Sequence, residues 1–180
     1  RALLAKHAAQ RKYDHGHALV LAGGSGRGGA ARLAAHAALR AGAGLVTLAA
    51  PGSAMLECAG QVTAIMLRRC DGAEDLAALL EDRRISALCL GPGLGTGAAT
   101  AQVRALVGAA LSSGRATVID ADALTAFEAA PDTLFAQLHG ACVLTPHGGE
   151  FARLFPDLAE RLSARPECGP AFSRADAVRL

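Results

Sequence analysis

The sequence predicts an α/β fold, a parallel sheet with helices on its faces, and three observations carry that expectation. Short apolar runs of strand length recur at Ala18–Ala22, Leu45–Ala49, Val62–Leu67, Ile85–Leu90, Ala116–Ile119 and Ala141–Leu144. Stretches with helical spacing separate them, and that alternation builds parallel strands joined by crossover helices. Glycine-rich or polar clusters directly follow four of the runs, at Gly23–Gly29, Gly91–Gly97, Asp120–Asp122 and Thr145–Glu150. Parallel strands bring such ends to one edge, where open α/β sheets bind ligands.

Each element has a local reason. After the first run, Gly23–Gly29 forms a loop and a helix fits Ala30–Ala41, with Leu33, Ala37 and Leu39–Ala41 as apolar positions and Gly42 as its stop. Pro51 closes the second run, and a short helix around Ala54–Ala59 leads to the third. Glu74–Arg83 reads as a helix and Ile85–Leu90 as a strand ending in GPGLGTG. A long helical segment, Gly97–Leu111, carries Val103, Leu106, Val107 and Leu111 on one side and stops at Ser112-Ser113-Gly114. Ala116–Ile119 ends in Asp-Ala-Asp, two short helical pieces follow, and Ala141–Leu144 reads as a strand buried on both faces that Pro146 terminates. Arg161–Pro170 reads as a mobile polar loop, and Ser173–Leu180 as a closing helix.

The 180 residues suit one domain, 1–180, with one sizeable core. At 52% hydrophobic and 19% charged the chain is globular rather than disordered, and no run approaches the roughly 18 apolar residues of a membrane span. Aromatics at 3%, no Trp and a net charge of +2 argue against nucleic-acid binding, which needs a basic excess and stacking rings. The cysteines, Cys58, Cys70, Cys89, Cys142 and Cys168, form no C-x-x-C pair. Buried thiols in a reducing, cytoplasmic compartment are expected, and the N-terminal stretch shows no secretory pattern.

Gly24-Ser25-Gly26-Arg27-Gly28-Gly29 fits G-x-G-x-x-G between a strand and a helix, but no acid stands at the end of the second strand to hold a ribose. What remains is a set of backbone N–H groups able to face an anion, or glycines permitting close packing. The alternate glycines of Gly91–Gly97 leave room for a ligand against the backbone, and no lysine follows in P-loop fashion. Asp120, directly after apolar residues, would carry a costly buried charge unless magnesium or a helix N-terminus offsets it, whereas Asp122 better suits a helix cap. His147 is the histidine with a positional argument, held between Pro146 and two glycines at a strand end. Glu150 either reaches magnesium through water or caps the helix that it opens, and no ligand set for zinc is complete.

Taken in order, KYDHGHALVLAGGSGRGGAARLAAHAALRAGAGLVTLAAP, LGPGLGTG, VIDADAL and VLTPHGGEFARLF resemble the motifs of the ADP- or ATP-dependent NAD(P)H-hydrate dehydratases, from about Lys12 onward. The resemblance implies a ribokinase-like three-layer α/β/α fold with a central, mostly parallel sheet. It also implies a lyase that repairs hydrated NADH or NADPH by phosphorylating the errant ring hydroxyl from ADP or ATP and then eliminating phosphate. Carried over by position, the hydrated-cofactor contacts fall on Ala30, Gly93, Gly95 and His147, and the magnesium machinery on Asp120 and Glu150. The chain departs from the pattern in having Thr125 for the usual Asn, Gly148 for a proline, and a glycine loop one residue shorter that lacks its common Met. The family's C-terminal lysine-containing strand and G-S-G-D motif, with its anion hole and presumed base, have no counterpart, so the resemblance implies a C-terminally truncated domain. A homo-oligomer, or a fused or partner epimerase domain, is the implied company. A small-molecule kinase of the same fold acting on a vitamin-precursor alcohol, or a binding-only fragment, are the competing readings.

Overall fold

Six strands form one sheet in the computed structural model, which describes residues 9–164 and 171–179. They are β1 (His17–Leu21), β2 (Leu45–Ala50), β3 (Met66–Arg69), β4 (Ala87–Leu90), β5 (Ala116–Ile119) and β6 (Cys142–Leu144). Every neighbouring pair is parallel, and the order is β3-β2-β1-β4-β5-β6. The helices are α1 (Gly29–Ala41), α2 (Met55–Ala59), α3 (Ala73–Leu79), α4 (Thr100–Ser112), α5 (Asp122–Thr125), α6 (Pro131–Phe135), α7 (Gly148–Leu154), α8 (Pro156–Ser163) and α9 (Arg174–Arg179).

Strand alternation splits the core in two. Leu19 and Leu21 join Leu88, Leu90 and Ile119 in a cluster covered by Leu76 of α3, Val103 and Val107 of α4 and Leu124 of α5. Val20 and Ala22 point the other way and join Val46, Leu48 and Ala50 against Ala31 and Ala35 of α1 and Cys58 of α2. The result is three layers, helices on both faces of a parallel sheet, as expected. After β3 the chain crosses back to the far side of β1, so the strand order reverses between β1 and β4. The helices change face there too, which opens a crevice at the carboxyl ends of those two strands.

Several expected details shift. The third strand runs over Met66–Arg69 rather than Val62–Leu67: Val62 N–H bonds Cys58 O at 3.2 Å to close α2, and Ile65 is buried in the α1/α2 core. The edge strand then continues into Arg68 and Arg69, which a solvated flank tolerates. β6 is not buried on both faces; it is an edge strand, with Val143 54% exposed. On α1 the buried positions are Ala31 and Ala35, whereas Leu33 is 72% exposed, because small side chains seat the helix closer to the sheet. The α3 helix ends at Leu79; Asp82 then takes Arg84 N–H at 3.0 Å and its guanidinium at 2.8 Å, making a turn that buries Leu80 and Ile85.

Residues 97–99 form a 3-10 turn before α4, and Arg161–Ser163 belong to α8 rather than to a loop. The rest of that loop, 165–170, lies outside the described residues, as do Cys168, His7 and Leu180. Cys58 and Cys70 are buried free thiols, and Cys89 and Cys142 are free and half-buried. Among the described residues no helix is long and apolar enough to cross a membrane.

Candidate functional site

In the crevice between β1 and β4 the two loops meet backbone against backbone. A Cβ added at Gly23 would lie 1.7 Å from Gly93 O, and one at Gly93, whose φ is +75°, would lie 2.4 Å from Arg27 O. Only glycines allow the loop after β1 and the loop after β4 to meet this closely. The second loop also abuts β5, where a Cβ at Gly91 would reach within 1.8 Å of Asp120 O.

The Asp-Ala-Asp turn locks onto the same loop. Gly95 N–H donates to Asp122 Oδ2 at 2.8 Å. Between the two aspartates, Ala121 takes φ 46°, the one positive φ of a non-glycine among the described residues. Such strain persists where surrounding contacts over-determine the backbone, and it occurs often at functional sites. Asp122 therefore does not cap the helix that it opens: α5 has no side-chain cap, and the carboxylate is spent on Gly95 instead. Asp120 is half-exposed rather than a buried charge, and its Oδ1 accepts from Thr145 Oγ1 at 2.9 Å.

At the end of β6, His147 and Glu150 form the capping box of α7. Gly149 N–H and Glu150 N–H donate to His147 Nδ1 at 3.0 and 3.4 Å, while His147 N–H donates to Glu150 Oε2 at 2.9 Å. An accepting Nδ1 places the ring proton on Nε2, which lies 3.3 Å from Glu150 Oε1. Both oxygens of the buried Glu150 are thus turned to His147, and of the two roles its position left open the structure displays the cap.

Ala30 is exposed in the first turn of α1. The loop before it is pinned on its outer side by Glu57, which accepts from Gly26 N–H and Arg32, both at 2.7 Å. These bonds, the Gly26 one foremost, hold the Glu57 carboxyl below its usual range.

A cavity of about 360 Å³ lies beside the switch point, lined among others by Gly24, Ser25, Arg27, Asp71, Leu94 and Gln102. Asp71 is engaged, accepting from Gly52 N–H at 2.7 Å and from Arg69 Nε; these bonds, the Gly52 one first, lower its pKa. Cys70 also borders the cavity, but burial, with the Asp75 charge adding to it, pushes its thiol up to about 11. It stays a protonated thiol and a poor nucleophile. A second cavity of about 340 Å³, lined in part by Tyr13, His17, Thr47 and Arg84, opens at the amino ends of the strands, away from these loops.

Ala30, Gly93, Gly95, Asp120, His147 and Glu150 all stand on the carboxyl edge of the sheet, after β1, β4, β5 and β6. Those strands are consecutive neighbours, so the residues form a row about 14 Å long at the usual strand spacing. The cavity extends the row toward β2 and β3 and touches it at Leu94. Among the described residues no group of three or more His, Cys, Asp and Glu is placed to hold a metal ion. Sequence reasoning missed Arg27, Thr145 and the Gly95 role of Asp122. For Arg27 a signal existed, a lone charge among glycines in a loop that a second glycine loop must meet.

The NAD(P)H-hydrate dehydratase family model matches residues 18–177. Among curated proteins, the bifunctional NAD(P)H-hydrate repair enzyme Nnr of Gloeobacter violaceus is 38% identical over 87% of this chain and 30% of its own length. The protein of the same name from Moorella thermoacetica is 39% identical over 94% of this chain and 33% of its own. The chain thus spans about a third of these relatives. Among solved structures, a ribokinase-like superfamily protein from Enterococcus faecalis superposes with a TM-score of 0.70 at 20% identity, covering 97% of this chain and 57% of that one. The ADP/ATP-dependent NAD(P)H-hydrate dehydratase of Bacillus subtilis, co-crystallized with ATP/Mg2+, superposes with a TM-score of 0.66 at 27% identity, covering 84% and 51%. With the family model spanning nearly all of the sheet and every loop of its carboxyl edge, the chain belongs to the NAD(P)H-hydrate dehydratase family.

Proposed function

We propose that this chain supplies the hydrated-cofactor half of a nucleotide-dependent dehydratase that restores NADH or NADPH from its hydrate. The observation that carries the reading is the row of loops along one sheet edge, in a chain whose family match spans residues 18–177. In net terms a ring hydroxyl takes a phosphoryl group from ADP or ATP, phosphate then leaves with the hydroxyl oxygen, and the ring loses a proton. Gly93 and Gly95 carry no side chain of their own to block a substrate, Arg27 Nη1 stands beside Gly95, and Ala30 offers only a methyl group. His147 is exposed at the strand end with Nδ1 held by the α7 backbone, and on binding it turns its Nε2 proton from Glu150 Oε1 to the hydrated ring.

Asp120 fits a hydrated magnesium ion, since one of its carboxylate oxygens accepts from Thr145 and no bond to the other is found among the described residues. Glu150, committed to His147, would reach such an ion only through water. Magnesium, when bound, neutralises phosphate charge during transfer. The same proposal includes a cytoplasmic location and, for the whole protein, self-association or a fused or partner epimerase domain.

Titration calorimetry of the chain with hydrated NADH, and with thiazole and pyrimidine alcohols as competitors, tests the reading. Binding of the hydrate alone is the expected result. Preference for an alcohol would instead assign a vitamin-precursor kinase.

A further inference from the structure

We infer that the cavity beside the Gly93–Gly95 turn binds the phosphate-bearing arm of a dinucleotide substrate, with Arg27 as its anion contact; this rests on the function proposed above. Arg27 is held by its backbone between the two loops: its N–H bonds Gly24 O at 2.9 Å, and its carbonyl lies against Gly93. From there the side chain reaches across the crevice, placing Nη1 3.2 Å from the position of a Cβ on Gly95. The guanidinium thus stands between the row of family residues and the cavity that it lines.

The charge around it is unmatched. Arg32 is paired with Glu57, Arg69 with Asp71 and Arg84 with Asp82, whereas the Arg27 guanidinium has no hydrogen bond or ion pair among the described residues. Asp71, the acid in the same cavity, already has its charge balanced by Arg69. The cavity therefore presents a net positive, fork-shaped donor, the geometry that suits a phosphate oxygen pair. The hydroxyls of Ser25 and Ser53, also on the wall, add donors suited to phosphate or sugar oxygens. A small alcohol held at Gly95 and His147 would leave this space empty, but a dinucleotide whose ring sits there must send its pyrophosphate and second nucleoside somewhere, and the switch-point cavity adjoins it.

The test is calorimetry on the 180-residue chain and its Arg27→Gln and Arg27→Lys variants, with hydrated NADH, hydrated dihydronicotinamide riboside and ADP-ribose. The expected result is a loss of about tenfold or more in affinity for hydrated NADH in R27Q, the usual scale for a charge-assisted bond. R27K should recover part of it, the phosphate-free riboside should bind all forms alike, and unfolding temperatures should match. Added salt should weaken the parent chain and leave R27Q nearly unaffected. Equal affinity of parent and R27Q for hydrated NADH overturns the inference and leaves the dehydratase reading standing. Arg27-dependent binding of ADP-ribose with no preference for the hydrated ring supports the cavity and overturns that reading, and failure of all three ligands to bind overturns both.

Discussion

Asp122 Oδ2 lies 2.8 Å from Gly95 N, so the acid at the end of one strand fixes the glycine at the end of its neighbour. Removing the carboxylate leaves that N–H without its acceptor and frees the turn that faces the proposed substrate. Asp122→Ala should destabilise the chain by about 1–2 kcal/mol. It should also accelerate hydrogen exchange at the Gly95 amide, while an unchanged exchange rate would mean that Asp122 does not hold the loop.

Gly23 shows the opposite kind of dependence, on the absence of a side chain. A methyl group there would fall 1.7 Å from the Gly93 carbonyl oxygen, and backbone on both sides leaves nothing flexible to move. Gly23→Ala should cost more than about 3 kcal/mol, through the overpacking that dominates large mutational effects. Urea unfolding measures it; a loss below 1 kcal/mol, the usual range of surface changes, would show that the loops do not interlock.

Much of this architecture was legible in the sequence because strands that feed a parallel sheet are apolar whatever surrounds them. What was not legible depends on position in the sheet. Cys142-Val143-Leu144 reads as buried on both faces, yet its place at the edge leaves Val143 half open to solvent. On α1, a stripe through Leu33 and one through Ala31 both have helical spacing, and only contact with the sheet chooses the alanines. The site followed the same division. Glycine loops and aspartates announced themselves by their chemistry at strand ends, but Arg27 meets Gly93 and Asp122 meets Gly95 only across the folded sheet edge, and spacing carries no trace of such pairs.

His147 has two separable roles to test. As the N-cap of α7 it accepts two backbone N–H bonds, and His147→Ala should lower stability by about 1 kcal/mol. As a substrate contact it should in addition weaken binding of hydrated NADH by about 1–3 kcal/mol. His147→Asn restores an N-cap acceptor without the Nε2 donor, so it should recover stability but not affinity. Recovery of both would leave the histidine a cap and nothing more.

His17, at the other edge of the sheet, makes stability depend on pH. Its Nε2 lies 2.8 Å from Thr47 Oγ1, its Nδ1 is buried without a partner, and burial lowers its pKa, against an opposing pull from Asp82. The folded state therefore binds this proton less readily than the unfolded chain, and stability rises with pH wherever the unfolded state holds more protons. The contribution is complete above about 6.5, histidine's ordinary value, and is lost as the pH falls toward the lowered folded-state value. Unfolding midpoints measured from pH 7 down to pH 5 should fall less steeply in His17→Gln than in the parent chain. Parallel slopes would mean that another group governs this window.

The outer edge of β6 carries the last prediction. Among the described residues β6 pairs only with β5, so the backbone groups on its far side have no strand partner, and Val143 adds a 54% exposed apolar side chain to that edge. Val178 of α9 is also 84% exposed, while Leu180, which the sequence also suggested, lies outside the described residues. An unpaired strand with apolar flanks is a template for another chain, and natural proteins blunt such edges with charge, lysine above all. The 180-residue chain should therefore associate as its concentration rises, seen as an increasing mean mass in sedimentation equilibrium. Val143→Lys should reduce that association without changing the unfolding midpoint, because the side chain already faces water. A parent chain that stays monomeric at every concentration, or a V143K variant that associates as strongly as the parent, would show that the β6 edge is not the adhesive surface.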